Sequence, residues 1–156
     1  MELFVIRHAE ATARETSPDD AARPLTPRGR KRFDAVVRSL QALEVRFDRV
    51  VHSPWLRAVQ TADLLAPLLD GETEVTSLLA DEPSEALLGK VVGERVALVG
   101  HEPWLGETVS WLVTGDRAGA RFAFDKGGVA WLEGEPSPGG MALRALLPCR
   151  VVRALR

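Results

Sequence analysis

The chain has 156 residues, 46% hydrophobic and 27% charged, a length that lets one domain bury roughly 70% of its unfolded surface. A formal net charge of −2 gives no support for a nucleic-acid partner, whose signature is a strongly basic face, and no apolar run reaches the roughly 20 residues that span a bilayer. A single cysteine, Cys149, excludes an internal disulfide and fits a reducing, cytoplasmic setting. The first predicted element is a strand at residues 2–6, where Leu3-Phe4-Val5-Ile6 delivers Arg7-His8-Ala9 into a polar stretch; it leaves no room for a signal peptide. Residues 9–24 carry no periodicity, and a loop of about 16 residues is usually functional or mobile. Its tip, Ser17-Pro18-Asp19-Asp20, reads as solvated.

Thr26-Pro27 combines an N-cap with proline at the first helical position, and Phe33, Val36, Val37, Leu40 and Leu43 follow at helical spacing. Residues 48–52 read as a strand. Ser53-Pro54 repeats the cap-plus-proline start, for a helix running to about Leu69. A short strand near Glu74-Val75, a helix over about 84–92 and a buried strand at 96–99 come next. Glu102-Pro103 opens a helix whose apolar face offers Trp104, Leu105, Thr108, Val109, Trp111 and Leu112. Strands at 129–132 and 141–146 are joined by the turn-rich segment 134–140, so one edge of the sheet is expected to be antiparallel. The expected fold is a single domain over 1–156: a three-layer α/β/α sandwich with a mixed, mostly parallel sheet.

Two of the three histidines, His8 and His101, each follow a strand-like run, and Ser53-Pro54-Trp55-Leu56-Arg57 follows a third. Ligand sites in open α/β sheets form outside the carboxyl ends of strands. The three segments therefore point to one crevice with two imidazoles and two guanidinium groups. That set suits a phosphoryl group, whose transition state spreads charge over its non-bridging oxygens. Arginine presents a planar fork of donors that stays charged at any working pH, which makes Arg7 and Arg57 the candidate clamp. Arg57 sits in the first turn of its helix, where a cation opposes the helix dipole, a local misfit that points to function. Helix N-termini beside the crevice add backbone donors. A neutral imidazole attacks phosphorus well and leaves well, so His8 is the candidate nucleophile, with His101 on the transferring group. Arg23, at the end of the long loop, is a further candidate for substrate contact. His52 reads as structural, Ser53 as a helix cap, Trp55 and Trp104 as packing or pocket rim, and Lys126-Gly127-Gly128 as a turn. Cys149 has no predicted role. No carboxylate cluster suggests a metal, and no cofactor is expected.

Arg7-His8-Ala9-Glu10-Ala11, Leu25-Thr26-Pro27-Arg28-Gly29, the run from Ser53 to Ala62, and Val99-Gly100-His101-Glu102-Pro103 together resemble the histidine phosphatase superfamily. The short length and the Arg23-Pro24-Leu25-Thr26 approach look most like its SixA-type phosphohistidine phosphatases, and the resemblance runs from residue 2 to about 147. It implies a phosphoglycerate mutase-like fold, transient phosphorylation of His8, and a phosphate pocket of Arg7, Arg57 and His101. Ala9 stands where the family usually has glycine. Many members carry a glutamate proton donor in the region that here reads Ser77-Leu78-Leu79-Ala80-Asp81-Glu82-Pro83, which leaves Asp81 or Glu82 for that task. An imidazole leaving group needs little acid help. The expected activity is a phosphatase acting through phospho-His8 on phosphohistidine in a protein, a histidine-phosphotransfer domain being one such partner. The alternatives are a phosphatase of a small phosphomonoester, a mutase, or a non-catalytic phospho-ligand module.

Overall fold

The computed structural model describes residues 1–155. Its strands are β1 (Glu2–Arg7), β2 (Phe47–His52), β3 (Leu69–Val75), β4 (Arg95–Gly100), β5 (Val129–Gly134) and β6 (Met141–Leu147). They form one sheet in the order β3-β2-β4-β1-β5-β6. The first four neighbours pair in parallel, and β5 and β6 close one edge antiparallel, as the turn-rich segment between them predicts.

The layers follow from the strand pleat. Leu3, Phe4, Val5 and Ile6 are all buried, as a central strand covered on both faces requires. Phe4 and Ile6 face one layer, where Phe33, Val36 and Leu40 of α1 (Pro27–Ala42) pack with Ala58 and Ala62 of α2 (Leu56–Leu64) and Val152 of α5 (Cys149–Val152). Leu3 and Val5 face the other, against Leu87 and Leu88 of α3 (Glu85–Leu88) and Leu105, Val109 and Leu112 of α4 (Trp104–Thr114). The result is the expected three-layer sandwich.

Several boundaries differ from expectation for local reasons. Leu43 is 58% exposed, because α1 ends at Ala42 and Leu43 is its C-cap. The second helix stops at Leu64 rather than near Leu69. Pro67 has no N–H to continue the ladder, so the chain tightens into a 3-10 turn over Ala66–Leu68. The third strand begins at Leu69, well before Glu74. It is an edge strand whose Asp70, Gly71, Glu72 and Thr73 are exposed, so it carries no apolar alternation to read. The helix expected over 84–92 shortens to α3, capped by the Ser84 hydroxyl, which accepts from Leu87 N–H at 3.2 Å.

The loop 9–24 has internal structure: 3-10 turns at Arg14–Thr16 and Asp20–Ala22, and an Ala11–Leu25 bridge. Thr12 N–H donates to Pro24 O at 2.9 Å and the Arg23 guanidinium to Thr12 O at 2.5 Å. Its base is fastened to α1, since Thr26 N–H donates to Glu10 O at 3.0 Å and the Thr26 hydroxyl caps Gly29 N–H at 2.9 Å. A Cβ at Gly29 would run into the Glu10 carbonyl. This close approach sets α1 against the turn that follows His8. Gly29→Ala should therefore cost about 1–3 kcal/mol of stability, read as a lower denaturant midpoint at constant m-value. An unchanged midpoint would show that the approach does not constrain position 29.

Candidate active site

Backbone pairing assembles the site before any side chain is considered. The parallel register sets Arg7 opposite Gly100, and His8 N–H donates to Gly100 O at 3.0 Å. His8 and His101 thus leave adjacent strands side by side, with ring centroids 5.2 Å apart. Ser53 N–H donates to Val99 O at 3.0 Å and brings the third segment to the same edge. The turn at Lys126-Gly127 closes behind, where Gly127, at φ 76°, donates its N–H to the carbonyls of Arg7 and His8.

The side chains enclose a cavity of about 280 Å³ lined by Arg7, His8, Arg57 and His101, together with Arg14, Arg23, Trp55, Ala80, Glu102, Trp104 and Lys126. All four principal residues predicted from the sequence, and Arg23, meet there. A second cavity, of about 330 Å³, opens beside Arg7 but contains neither imidazole.

His8 is 5% exposed. Its Nδ1 lies 2.7 Å from Ala9 O, and because a carbonyl only accepts, Nδ1 carries the proton. Nε2 then presents its lone pair and accepts from Arg57 Nε–H at 3.3 Å. Burial, reinforced by the charges of His101, Arg57 and Arg7, lowers its pKa to about 3 although the Ala9 hydrogen bond opposes this. The turn is tied to α2, since Ala9 N–H donates to the Thr61 hydroxyl at 3.0 Å and that hydroxyl donates to Arg57 O at 2.7 Å.

His101 is held by Ser53, whose Oγ lies 2.7 Å from Nε2. The same Oγ accepts Trp55 N–H at 3.2 Å. If the hydroxyl donates to Nε2, every group in this chain is used and the His101 proton falls on Nδ1. That nitrogen is buried without a partner among the described residues and is free to donate to a ligand oxygen. Ser53 is therefore not the cap of α2, whose N-cap is Trp55 with no side-chain capping bond; its hydroxyl holds the Trp55 backbone and orients His101 instead. Burial first, then Arg57, lowers the His101 pKa to about 4. Trp55 packs on the His101 ring at 4.7 Å and beneath the Arg57 guanidinium at 4.7 Å.

Other assignments change. Asp81 and Glu82 are exposed and do not line the cavity; Asp81 Oδ1 accepts Glu82 N–H, and Glu82 lies 3.7 Å from Arg117. The 3-10 turn at Ser77–Ala80 brings only Ala80 to the wall. The carboxyl that does line the cavity is Glu102. Its Oε1 is buried and without a partner among the described residues, and burial raises its pKa despite the opposing charge of Arg7. Its place directly after His101 was the available signal. Asp20 is not a solvated tip: it turns inward onto three arginines, while Asp19 stays exposed. Lys126 lines the cavity from its turn, and Arg14 joins from the loop with no periodicity to announce it. His52 is buried, with Nδ1 2.8 Å from Ser53 O, and lies outside the cavity. Among the described residues no cluster of three His, Cys, Asp or Glu side chains could hold a metal ion, and no helix is long and apolar enough to cross a membrane.

The family model of the histidine phosphatase superfamily (branch 1) matches residues 3–82. This chain belongs to the histidine phosphatase superfamily. It is 34% identical to an uncharacterized protein of Picosynechococcus over 85% of this chain and 84% of that one. Phosphohistidine phosphatase SixA of Escherichia coli is 30% identical over 74% of this chain and 76% of its own length. The structure of protein histidine phosphatase SixA complexed with tungstate superposes with a TM-score of 0.79 at 25% identity, covering 96% of this chain and 98% of that one. The superfamily supplies phosphatase chemistry and the α/β fold.

The two buried imidazoles make a pH prediction. Each binds its proton near pH 3–4 in the folded chain, against about 6.5 when unfolded. Between those values the unfolded state holds more protons, so this contribution to stability is complete above about pH 6.5 and is lost as the pH falls toward 3. Histidine ring resonances of His8 and His101 should accordingly stay constant between about pH 5 and 8. A midpoint near 6.5 for His8 would show that its ring is solvated rather than buried among cations.

Proposed function

We propose that the chain is a phosphatase that works through a phosphohistidine intermediate on His8 and takes its phosphoryl group from phosphohistidine in a protein. The observation that carries this reading is the His8 ring itself. Its Nδ1 proton is committed to Ala9 O, and its Nε2 lone pair faces a cavity lined by Arg7, Arg57 and Lys126.

In the first step His8 Nε2 attacks phosphorus in line. The N–P bond forms as the bond to the leaving group breaks. Arg57 Nε–H, which rests on the same lone pair, transfers its hydrogen bond to a non-bridging oxygen. Arg7 and the Nδ1–H of His101 hold the remaining oxygens, stabilising charge where it develops. In the second step water attacks phospho-His8, the N–P bond breaks and phosphate leaves. To an alkoxide leaving group Glu102, whose pKa burial raises, gives a proton in the first step and recovers one from water in the second; an imidazole leaving group draws no proton from it.

The likeness to SixA supports phosphohistidine as the substrate, and the complex of a SixA structure with tungstate, a tetrahedral oxyanion, supports an oxyanion ligand for this fold. Arg14 and Lys126 are exposed at the cavity, where they suit an acidic protein surface such as that of a histidine-phosphotransfer domain. The unpaired Cys149 suits the cytoplasm. One observation favours a second reading: Glu102, whose pKa burial raises, would serve as proton donor to the alkoxide leaving group of a small phosphomonoester, which an imidazole leaving group does not require. A mutase or a purely binding module gains no support.

Phosphate release should be measured from a phosphohistidine-bearing phosphotransfer domain and from a panel of phosphomonoesters. His8→Ala should reduce both to background. Glu102→Gln should lower monoester hydrolysis by roughly 100-fold or more and leave phosphohistidine release nearly unchanged. Activity surviving in His8→Ala would overturn the mechanism, and equal losses on both substrates would remove the selective role of Glu102. A wild-type preference for monoesters would make the second reading the correct one.

A further inference from the structure

The loop tip that reads as solvated sequence holds the most connected carboxylate of the site. Asp20 begins the 3-10 turn Asp20–Ala22, whose N-terminus Asp19 caps by accepting Ala21 N–H at 3.0 Å. From there Asp20 reaches three arginines that line the cavity. Arg57 Nη1–H donates to the Asp20 backbone carbonyl at 2.7 Å and Arg57 Nη2–H to Oδ2 at 3.3 Å. Arg23 Nε–H donates to Oδ1 at 2.8 Å, and Arg14 Nε lies 3.3 Å from the same oxygen.

The pattern on Arg57 is directional. A guanidinium has five N–H donors in a rigid plane. Asp20 takes the two terminal nitrogens end-on, and the Nε edge is left pointing at His8, with Nε–H on Nε2. The remaining two N–H groups are free for ligand oxygens. Arg57 is 3% exposed, so this arrangement is held in a site where water does not compete freely. Arg23 is fixed in the same way, between Asp20 and Thr12 O. Asp20 itself is not among the residues that line the cavity; it stands behind the arginines.

We infer that Asp20 is a positioning residue, which grips Arg57 and Arg23 from behind and aims their free N–H groups at the phosphoryl group above His8. This rests on the reading that His8 and Arg57 receive that group. The opposite role, an anion that competes with phosphate for the same arginines, predicts an effect of opposite sign. Deleting a negative charge from a cation-lined cavity would by itself tighten anion binding. A loss of affinity must therefore come from lost aim.

The test measures inorganic phosphate binding by calorimetry and turnover of the His8-dependent substrate in wild type, Asp20→Ala and Asp20→Asn, at a temperature where all are folded. Asp20→Ala should weaken phosphate roughly tenfold, as expected when a hydrogen bond to a charged group is lost. It should lower kcat/KM by up to about 100-fold, the scale of a misplacement near 1 Å. Asp20→Asn, which keeps one acceptor oxygen, should recover part of both. Unchanged or tighter phosphate binding in Asp20→Ala would overturn the proposal. A third readout stands apart from binding and turnover: the Arg57 Nε–H resonance, hydrogen-bonded to His8 in wild type, should lose its protection from exchange in Asp20→Ala, and its persistence would also overturn the proposal. If wild type neither binds phosphate nor turns over substrate, the functional reading fails, and that resonance still decides whether Asp20 holds Arg57.

Discussion

The site depends on the parallel pairing of β1 with β4 in the register that places Arg7 beside Gly100. Both strands are buried on two faces, so a slip of one residue would drive their side chains into the opposite layers. Core packing therefore holds the register, and the register holds His8 against His101. The juxtaposition of the two imidazoles is a by-product of burying Leu3 to Ile6 and Val96 to Val99. The neighbouring strand β2 joins β4 in parallel as well, which delivers Ser53 and then Arg57 to the same edge without a further device.

That placement sets up an electrostatic conflict. Cations crowd a partly buried cavity, so a protonated imidazole inside it would face both desolvation and like charge. Both effects lower the His8 and His101 pKa values, leaving His8 neutral, as its proposed role as nucleophile requires. The same surroundings act in the opposite sense on Glu102: burial favours its protonated form more strongly than Arg7 favours its charged one. One environment thus pushes the pKa values of two imidazoles and a carboxyl in opposite directions within a single cavity. Asp20 offsets part of the positive charge from outside the lining.

How much of this could be read along the chain depended on whether the signal was periodic. Buried strands and α1 announce themselves because burial on one or both faces constrains residue type over many positions. The third strand does not, because an edge strand with exposed Asp70, Glu72 and Thr73 satisfies its backbone with few apolar contacts. The stop of α2 was present in the sequence as Pro67, and the missing N–H there is a sufficient reason for it. His8, His101, Arg7 and Arg57 were legible through position, each lying at or just beyond the end of a strand or in the first turn of the following helix.

Chain order alone determined the alternation of strand and helix, the antiparallel edge, and the set of histidines and arginines suited to a phosphoryl group. It did so because those features are local: a run of apolar residues, a proline after a capping hydroxyl, a histidine at a strand end. The direction in which the loop 9–24 folds back was decided only in three dimensions. An Asp20 that faces water and one that grips Arg57 have the same neighbours in sequence. The choice between Asp81, Glu82 and Glu102 was likewise tertiary, since it turns on which carboxyl the packing of α4 and the Ser77–Ala80 turn brings to the cavity wall. Distance and desolvation select those residues, and neither is a property of a segment by itself.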